Sequence, residues 1–310
     1  MEFIDELRFL KEQLKFKEKF ELPKHFDNVV MAGMGGSGIS NKIFQEMYTD
    51  RPLFLIDDYE IPNFVSKSTL FIAISYSGTT EETVNAAQNA IKKGAYVVTI
   101  SSGGTLSELG DQRIRIPRGD LQPRSATGYM LLSLMRSFGM VKDSDIEETY
   151  AILSKLDNEH KEATAHAQAI KKSDCVPVIY GAMPYRSVAY RWKTQFNENS
   201  KIIAYSSYFP EINHNDTLAL AKTYRKKDFY FMVFESEDRR IAKRIRVTEK
   251  ITNSSFNMIK LVGKSPLAKL FYLLHYGDYV SYELALLRGI DPAEVELLLT
   301  LKSAMKDQKS

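Results

Sequence analysis

Two stretches of the chain gather more glycine and hydroxyl than a turn needs. One is Gly33-Met-Gly-Gly-Ser-Gly38, and the other is Ser75-Tyr-Ser-Gly-Thr-Thr-Glu-Glu82. Each follows a short apolar run that reads as a buried strand and precedes a helical pattern. In the second stretch Ser75, Ser77, Thr79 and Thr80 can all donate hydroxyl hydrogens, and Gly78 lets the backbone approach a ligand closely. A helix starting there points free N–H groups and its positive dipole end at the same place. A phosphate monoester has three terminal oxygens and takes many short donors, each charge-assisted bond being worth ~1.5–3 kcal/mol. An ordinary helix cap is the plainer reading, with a threonine at the N-cap and glutamates in the first turn. A cap uses one hydroxyl, and this turn offers four.

The first stretch has a competing chemistry. Gly33, Gly35 and Gly38 fit G-x-G-x-x-G between a strand and a helix, and Asp57 follows the next strand, where a ribose-binding acid would stand. That pattern describes a dinucleotide site. Ser37 stands inside the turn, however, where a hydroxyl suits a substrate oxygen. The hydroxyl cluster at 75–80 has no part in the dinucleotide fingerprint.

Elements that could position these turns alternate regularly. Strands are expected at 28–32, 52–56, 69–74, 96–100 and 114–116, with helices to about Tyr48, from Thr80 to Lys93 with Gly94 as its C-cap glycine, and over 128–138. Residues 144–172 read as a charged linker helix. The pattern then restarts, with strands at 176–180, 201–205, 229–234 and 256–261. Helices are expected over 185–197, 237–252 and 266–288, and a final one near Pro292. Repeated βα units with short loops imply parallel sheets covered by helices on both faces. The expectation is an α/β protein of two similar halves, 1–145 and 146–310, alike in pattern rather than in residues.

The bulk numbers narrow the class. The chain has 310 residues, 44% hydrophobic, and a formal charge of +3. Basic residues are interleaved with acids, so no nucleic-acid-binding surface is expected. No apolar run approaches ~18 residues, which argues against a membrane span. The N-terminal stretch is charged throughout and lacks a signal-peptide core. Phe3, Leu7, Leu10 and Leu14 fall on one helical face instead. A cytoplasmic protein is expected. The single cysteine, Cys175, opens an apolar run and reads as a buried thiol. His160 and His166 are six apart on a charged helix, do not share a face as zinc ligands would, and read as solvated. His25 and His275 are isolated.

Gly35-Gly-Ser-Gly38 with Ser75-Tyr-Ser-Gly-Thr-Thr-Glu-Glu82 resembles the sugar isomerase (SIS) superfamily. Adding Pro123-Arg-Ser-Ala-Thr-Gly128, Asn197-Glu-Asn-Ser200 and Pro210-Glu-Ile-Asn-His-Asn215, the chain over nearly its whole length is similar to the bifunctional phosphoglucose/phosphomannose isomerases. The resemblance implies two SIS-type subdomains, a homodimer and no cofactor. It implies that Ser75, Ser77 and Thr80 hold the phosphate and that Gly36 and Ser37 line the sugar site. It further implies that Arg124 faces the enediolate, that Glu198 is the base, and that His214, reaching across the dimer, assists ring opening. Lys302 matches a second ring-opening residue.

The chemistry asks for these residue types independently. Aldose–ketose isomerisation moves a proton between C2 and C1, and one carboxylate can carry it, typically worth ~10²–10⁴ in rate. A fixed cation stabilises the charge left on the enediol oxygen, by ~3 kcal/mol for a well-placed donor. Histidine titrates near neutrality and suits the proton shuttle of ring opening. With no metal cluster in the sequence, the expected mechanism is a metal-free proton transfer through a cis-enediol. Glucose 6-phosphate and mannose 6-phosphate differ only at C2, so both would reach fructose 6-phosphate through one enediol. Two alternatives remain open at this point. One is a non-catalytic phosphosugar sensor on the same fold; the other is a dinucleotide enzyme using Gly33 to Gly38.

Overall fold

The computed structural model describes residues 2–119 and 121–306, without the side chains of 302, 305 and 306. The described chain forms two compact α/β units. The first holds the residues to Asn158 together with Met183–Val188 and Val262–Tyr272; the second holds Glu159–Ala182, Ala189–Leu261 and the residues from Leu273 onward.

In the first unit, α1 (Phe3–Arg8) and α2 (Leu10–Gln13) bury the expected stripe of Phe3, Leu7, Leu10 and Leu14. There follow β1 (Asn28–Ala32), α3 (Gly35–Met47), β2 (Leu53–Ile56), β3 (Thr69–Ile74), α4 (Glu81–Lys92), β4 (Tyr96–Ser101), β5 (Gln112–Arg115), α5 (Thr127–Ser137) and α6 (Asp143–Asn158). The strands form one parallel sheet in the order β2-β1-β3-β4-β5. Helices cover both faces, so the central strands are apolar on both sides, and every residue of β3 is buried. Small residues Ala86, Ala87 and Ala90 let α4 lie close on the sheet. Because β1 sits between β2 and β3, the chain leaves it in one direction and later returns on the other side. The C-terminal ends of β1 and β3 therefore flank a topological switch point, where α/β sheets bind ligands.

The second unit contains α7 (Lys161–Ser173), β6 (Val176–Gly181), the body of α8 (Arg186–Glu198), β7 (Tyr205–Tyr208), α9 (Asp216–Lys222), β8 (Phe229–Phe234), α10 (Arg239–Thr252), β9 (Phe256–Ile259), most of α11 (Pro266–Leu287), and α12 (Glu296–Lys306). Its parallel sheet runs β7-β6-β8-β9, the same order as the first four strands of the other unit. Its core joins Val178, Phe209, Phe231 and Val233 across that sheet.

Two expected elements differ. The strand placed at 201–205 begins only at Tyr205, because Lys201 takes a left-handed φ of 53° and Asn197 Nδ2 donates to the Ile202 carbonyl at 2.7 Å, turning the chain first. The linker helix is two helices, α6 and α7, separated at Glu159 and His160.

Candidate active site

The glycine-rich turn is shorter than its sequence suggests, since α3 starts at Gly35, so Gly36, Ser37 and Gly38 lie in its first turn. A Cβ on Gly36 would stand 3.1 Å from the Pro123 carbonyl oxygen and 3.2 Å from the Arg124 Cα. Glycine here lets the start of α3 lie against the 3-10 turn Pro123–Ala126, and so brings together two motifs about ninety residues apart. Ser37 is buried, and its Oγ accepts from the Tyr76 backbone N–H at 3.3 Å. That bond ties the first stretch to the second.

In the second stretch the hydroxyls converge. Ser75 Oγ lies 2.8 Å from Thr80 Oγ1 and 3.5 Å from Ser77 Oγ, and accepts from the Gly78 N–H at 3.1 Å. Thr79 donates to Ser77 Oγ from its hydroxyl at 3.1 Å. Thr80 is the N-cap of α4, yet its side chain makes no capping bond. The plain capping reading therefore does not account for the cluster: its hydroxyls face one another, at the end of a helix with no side-chain cap. Gly78 has φ 69°, and a Cβ there would overlap the Gly103 carbonyl oxygen. The sequence reading missed this second wall, made by Ser102, Gly103 and Gly104 after β4. Its signal was present, as Ser101-Ser-Gly-Gly104 is another strand followed by hydroxyl and glycine. Ser102 Oγ donates to the Tyr76 carbonyl at 2.6 Å, fixing the turn from behind.

Arg124 is buried, with its guanidinium carbon 5.1 Å from the Phe3 ring centre, a cation–π distance. Thr127 Oγ1 donates to its carbonyl at 2.9 Å and Gln13 Nε2 donates to the next carbonyl at 2.7 Å, so the turn carrying it is held from both sides. Within this unit the structure thus assembles Gly36, Ser37, Ser75, Ser77, Thr80 and Arg124 around the switch point. Asp57 pairs instead with Lys42 at 3.2 Å on the surface.

In the second unit Glu198 is the last residue of α8 and is half-buried. Lys201 Nζ donates to its backbone carbonyl at 2.6 Å and to the Glu294 carbonyl at 2.8 Å, placing a cation at the helix C-terminus. His214 is exposed and follows the 3-10 turn Glu211–Asn213. Its neighbours are anchored: Asn213 Nδ2 donates to Thr248 Oγ1 at 2.7 Å, and Asn215 Oδ1 accepts from the Asp216 N–H at 2.6 Å, capping α9. An open cleft of about 510 Å³ beside it is lined by Asn213, Thr217, Lys243, Arg244 and Val247, among others. Asp216 also accepts from the Tyr180 hydroxyl, and burial beside that carboxylate drives the Tyr180 phenol far above its usual range. Lys302 lies on α12, and its side chain is outside the described residues.

Three minor readings are corrected. His160 is not solvated: it stacks on Tyr279 at 4.1 Å and bonds Glu283 at 3.1 Å. His166 Nδ1 meets the Tyr230 hydroxyl at 2.8 Å, and burial lowers its pKa. Cys175 is only half-buried, its thiol donating to the Lys227 carbonyl. Among the described residues, no group of three or more His, Cys, Asp or Glu could hold a metal ion, and no helix is long and apolar enough to cross a membrane.

Two parallel α/β sheets of like strand order, one with a hydroxyl-lined turn at its switch point, define a double-SIS-domain protein. The family model for the bacterial phospho-glucose isomerase C-terminal SIS domain matches residues 159–305. The chain is 54% identical over 302 residues to the bifunctional phosphoglucose/phosphomannose isomerase of Thermoplasma volcanium, covering 97% of this chain and 99% of that one. The enzyme of the same name from Thermoplasma acidophilum is 55% identical over 302 residues, 97% of each chain. The fold is shared with the crystal structure of a glucosamine-6-phosphate deaminase from Thermotoga maritima, with TM-score 0.69, 16% identity, and coverage of 93% of this chain and 94% of that one. The chain belongs to the bifunctional phosphoglucose/phosphomannose isomerase family and is an enzyme.

Proposed function

We propose that the protein interconverts glucose 6-phosphate and mannose 6-phosphate with fructose 6-phosphate at one site. The observation that carries this reading is the uncapped start of α4 with Ser75, Ser77 and Thr80 turned toward one another, in a chain of this family. Those hydroxyls and the helix dipole fit a phosphate monoester. Gly36 and Ser37 line the sugar. Arg124 stabilises the negative oxygen of the enediolate, and its fixed, buried setting suits a preorganised charge. Glu198 takes the proton from one carbon and returns it to the next. His214 shuttles the proton of ring opening, with Lys302 as a second participant. No metal or cofactor enters this scheme. The working form is a homodimer in the cytoplasm, with His214 supplied to the partner copy.

One enediol serves both aldoses if rotation about C2–C3 precedes reprotonation. The two aldose phosphates must then compete. The test is fructose 6-phosphate formation from each alone and from mixtures. Mutual competitive inhibition, with each inhibition constant equal to that sugar's own KM, is expected. Additive, independent rates would overturn the single-site reading. No turnover of either sugar, with binding retained, would leave a phosphosugar sensor instead.

A further inference from the structure

The second unit contains a buried polar ladder between α8 and α11. Arg191, Gln195 and Glu198 are four and then three residues apart, and so share one face of α8. Arg191 Nη2 donates to both oxygens of Asp278 on α11, at 3.0 and 3.1 Å, and Gln195 Nε2 donates to Asp278 Oδ1 at 2.6 Å. One turn further along α11, Ser281 Oγ accepts from Asn199 Nδ2 at 2.9 Å, and the Ser281 carbonyl accepts from Ser200 Oγ at 2.6 Å. Ser281 Oγ in turn donates to the Asp278 carbonyl at 3.0 Å, and Arg288 Nη1 donates to the Ser200 carbonyl. Arg191, Gln195, Asn199, Ser200, Asp278 and Ser281 are all buried. Glu198 is bracketed by these bonds on both sides along the chain.

Apolar packing would join two helices at less cost. A buried ion pair is often no more stabilising than well-packed hydrophobic side chains, because desolvation opposes the attraction. Here the arrangement also leaves Arg191 Nε and Nη1 and Gln195 Oε1 without hydrogen-bond partners among the described residues. What directional bonds add is a single register and rotation of α8 on α11. That is the property a proton-transferring carboxylate needs, since a displacement of ~1 Å can cost ~10²-fold in rate.

We propose that Asp278 and Ser281 are positioning residues that fix the rotation and end of α8, and through them the carboxylate of Glu198. This inference rests on Glu198 being the base. The test uses the full-length enzyme and the variants Glu198→Gln, Asp278→Asn, Ser281→Ala and Trp192→Phe. Trp192→Phe is the packing control: it removes a bond from Trp192 Nε1 to the Leu273 carbonyl at the same pair of helices and leaves the ladder intact. Steady-state kinetics, the primary isotope effect with 2-deuterated glucose 6-phosphate, and thermal unfolding are read together.

Asp278→Asn should lower kcat by ~10–100-fold with KM within ~3-fold, and raise the isotope effect as proton abstraction becomes more rate-limiting. Ser281→Ala should change the same quantities in the same direction, less strongly, and carries the test should Asp278→Asn fail to fold. Trp192→Phe should lower the unfolding midpoint while leaving kcat and the isotope effect within ~2-fold. Ladder variants whose kcat loss follows their loss of midpoint, with an unchanged isotope effect, would reduce the ladder to packing and overturn the inference. Glu198→Gln retaining turnover would instead remove the base assignment itself.

Discussion

Ser75 offers the most direct test of the phosphate cradle. In Ser75→Ala the turn should survive. The Gly78 N–H loses Ser75 Oγ as an acceptor but keeps the Ser75 backbone carbonyl, also at 3.1 Å. The bonds to Thr80 and Ser77 join flexible hydroxyls that can turn elsewhere. The stability loss should therefore be about 1 kcal/mol or less, the net worth of a neutral hydrogen bond. The loss in substrate binding should be larger. A hydroxyl donating to a phosphate dianion contributes ~1.5–3 kcal/mol, which at tenfold per ~1.4 kcal/mol is about 10–150-fold in affinity. The phosphate is carried on C6, remote from C1 and C2, so the loss should fall mainly on KM, with kcat within ~3-fold. Glucose 6-phosphate formation from fructose 6-phosphate, coupled to its NADP-dependent oxidation, measures both constants. Inorganic phosphate as competitor supplies a check, since its inhibition constant should rise by a similar factor. Ser107→Ala is a control, because the hydroxyl of that half-buried residue bonds the Gly104 carbonyl and Glu108 and no cradle hydroxyl among the described residues. A Ser75→Ala enzyme with KM unchanged within twofold and an unaltered unfolding midpoint would refute the cradle.

Two other predictions concern the first unit and one the second. Gly78→Ala combines a left-handed φ of 69° with backbone overlap against Gly103, so it should lose more than the ~1–2 kcal/mol of the strained conformation alone; thermal unfolding should show a lowered midpoint that fructose 6-phosphate no longer raises. Glu46 is buried, and burial raises its pKa despite Ser187, whose N–H and hydroxyl donate to Glu46 Oε1 at 2.9 and 2.6 Å. Its contribution to stability is thus full below the ordinary carboxylate value of ~4.3 and is lost as pH rises through the folded-state value; Glu46→Gln should flatten that decline in unfolding midpoints measured from pH 4 to 8. For His166 the sign is opposite. Burial lowers its pKa, so stability is lost as pH falls from ~6.5 through the folded-state value, and His166→Gln should show a smaller loss over the same interval.

Local chemistry was legible in the sequence and distant packing was not. The turn after β3 could be read because strand, hydroxyls, glycine and helix start are contiguous, and Ser75 to Glu82 all lie in one turn and the first residues of one helix. The ends of α8 and the place of Glu198 at its C-terminus were read within a residue or two for the same reason. His160 and His166 were misjudged because their partners, Glu283 with Tyr279 and Tyr230, lie at least sixty residues away in sequence. The misplaced strand before Tyr205 turns on a left-handed lysine, a conformation no propensity assigns to that residue type. Gly36 was singled out as a sugar-site residue, yet its immediate effect is to admit the Arg124 turn, which only the folded contact reveals. Asp278 stands in a largely apolar helical run, and its sequence says nothing of Arg191.

The two units show why a shared topology does not duplicate a site. Both sheets place a helix N-terminus after the third strand of the common order, α4 after β3 and α10 after β8. After β3 the chain supplies Ser, Gly and Thr, and Thr80 leaves the helix end without a side-chain cap. After β8 it supplies Glu235-Ser-Glu-Asp238, and Asp238 accepts the Arg240 N–H at 2.7 Å. Hydrogen bonds from Arg240 hold the Asp238 carboxyl down to about 2, so it stays charged and occupies the role an incoming anion would take. The second helix end is thus closed by the chain's own carboxylate, and a phosphate arriving there would meet like charge. In that unit α8 and α11 are joined instead by the buried polar ladder that flanks Glu198. The same strand order thus carries two differently finished helix ends, separated by the charge and capping of a single turn.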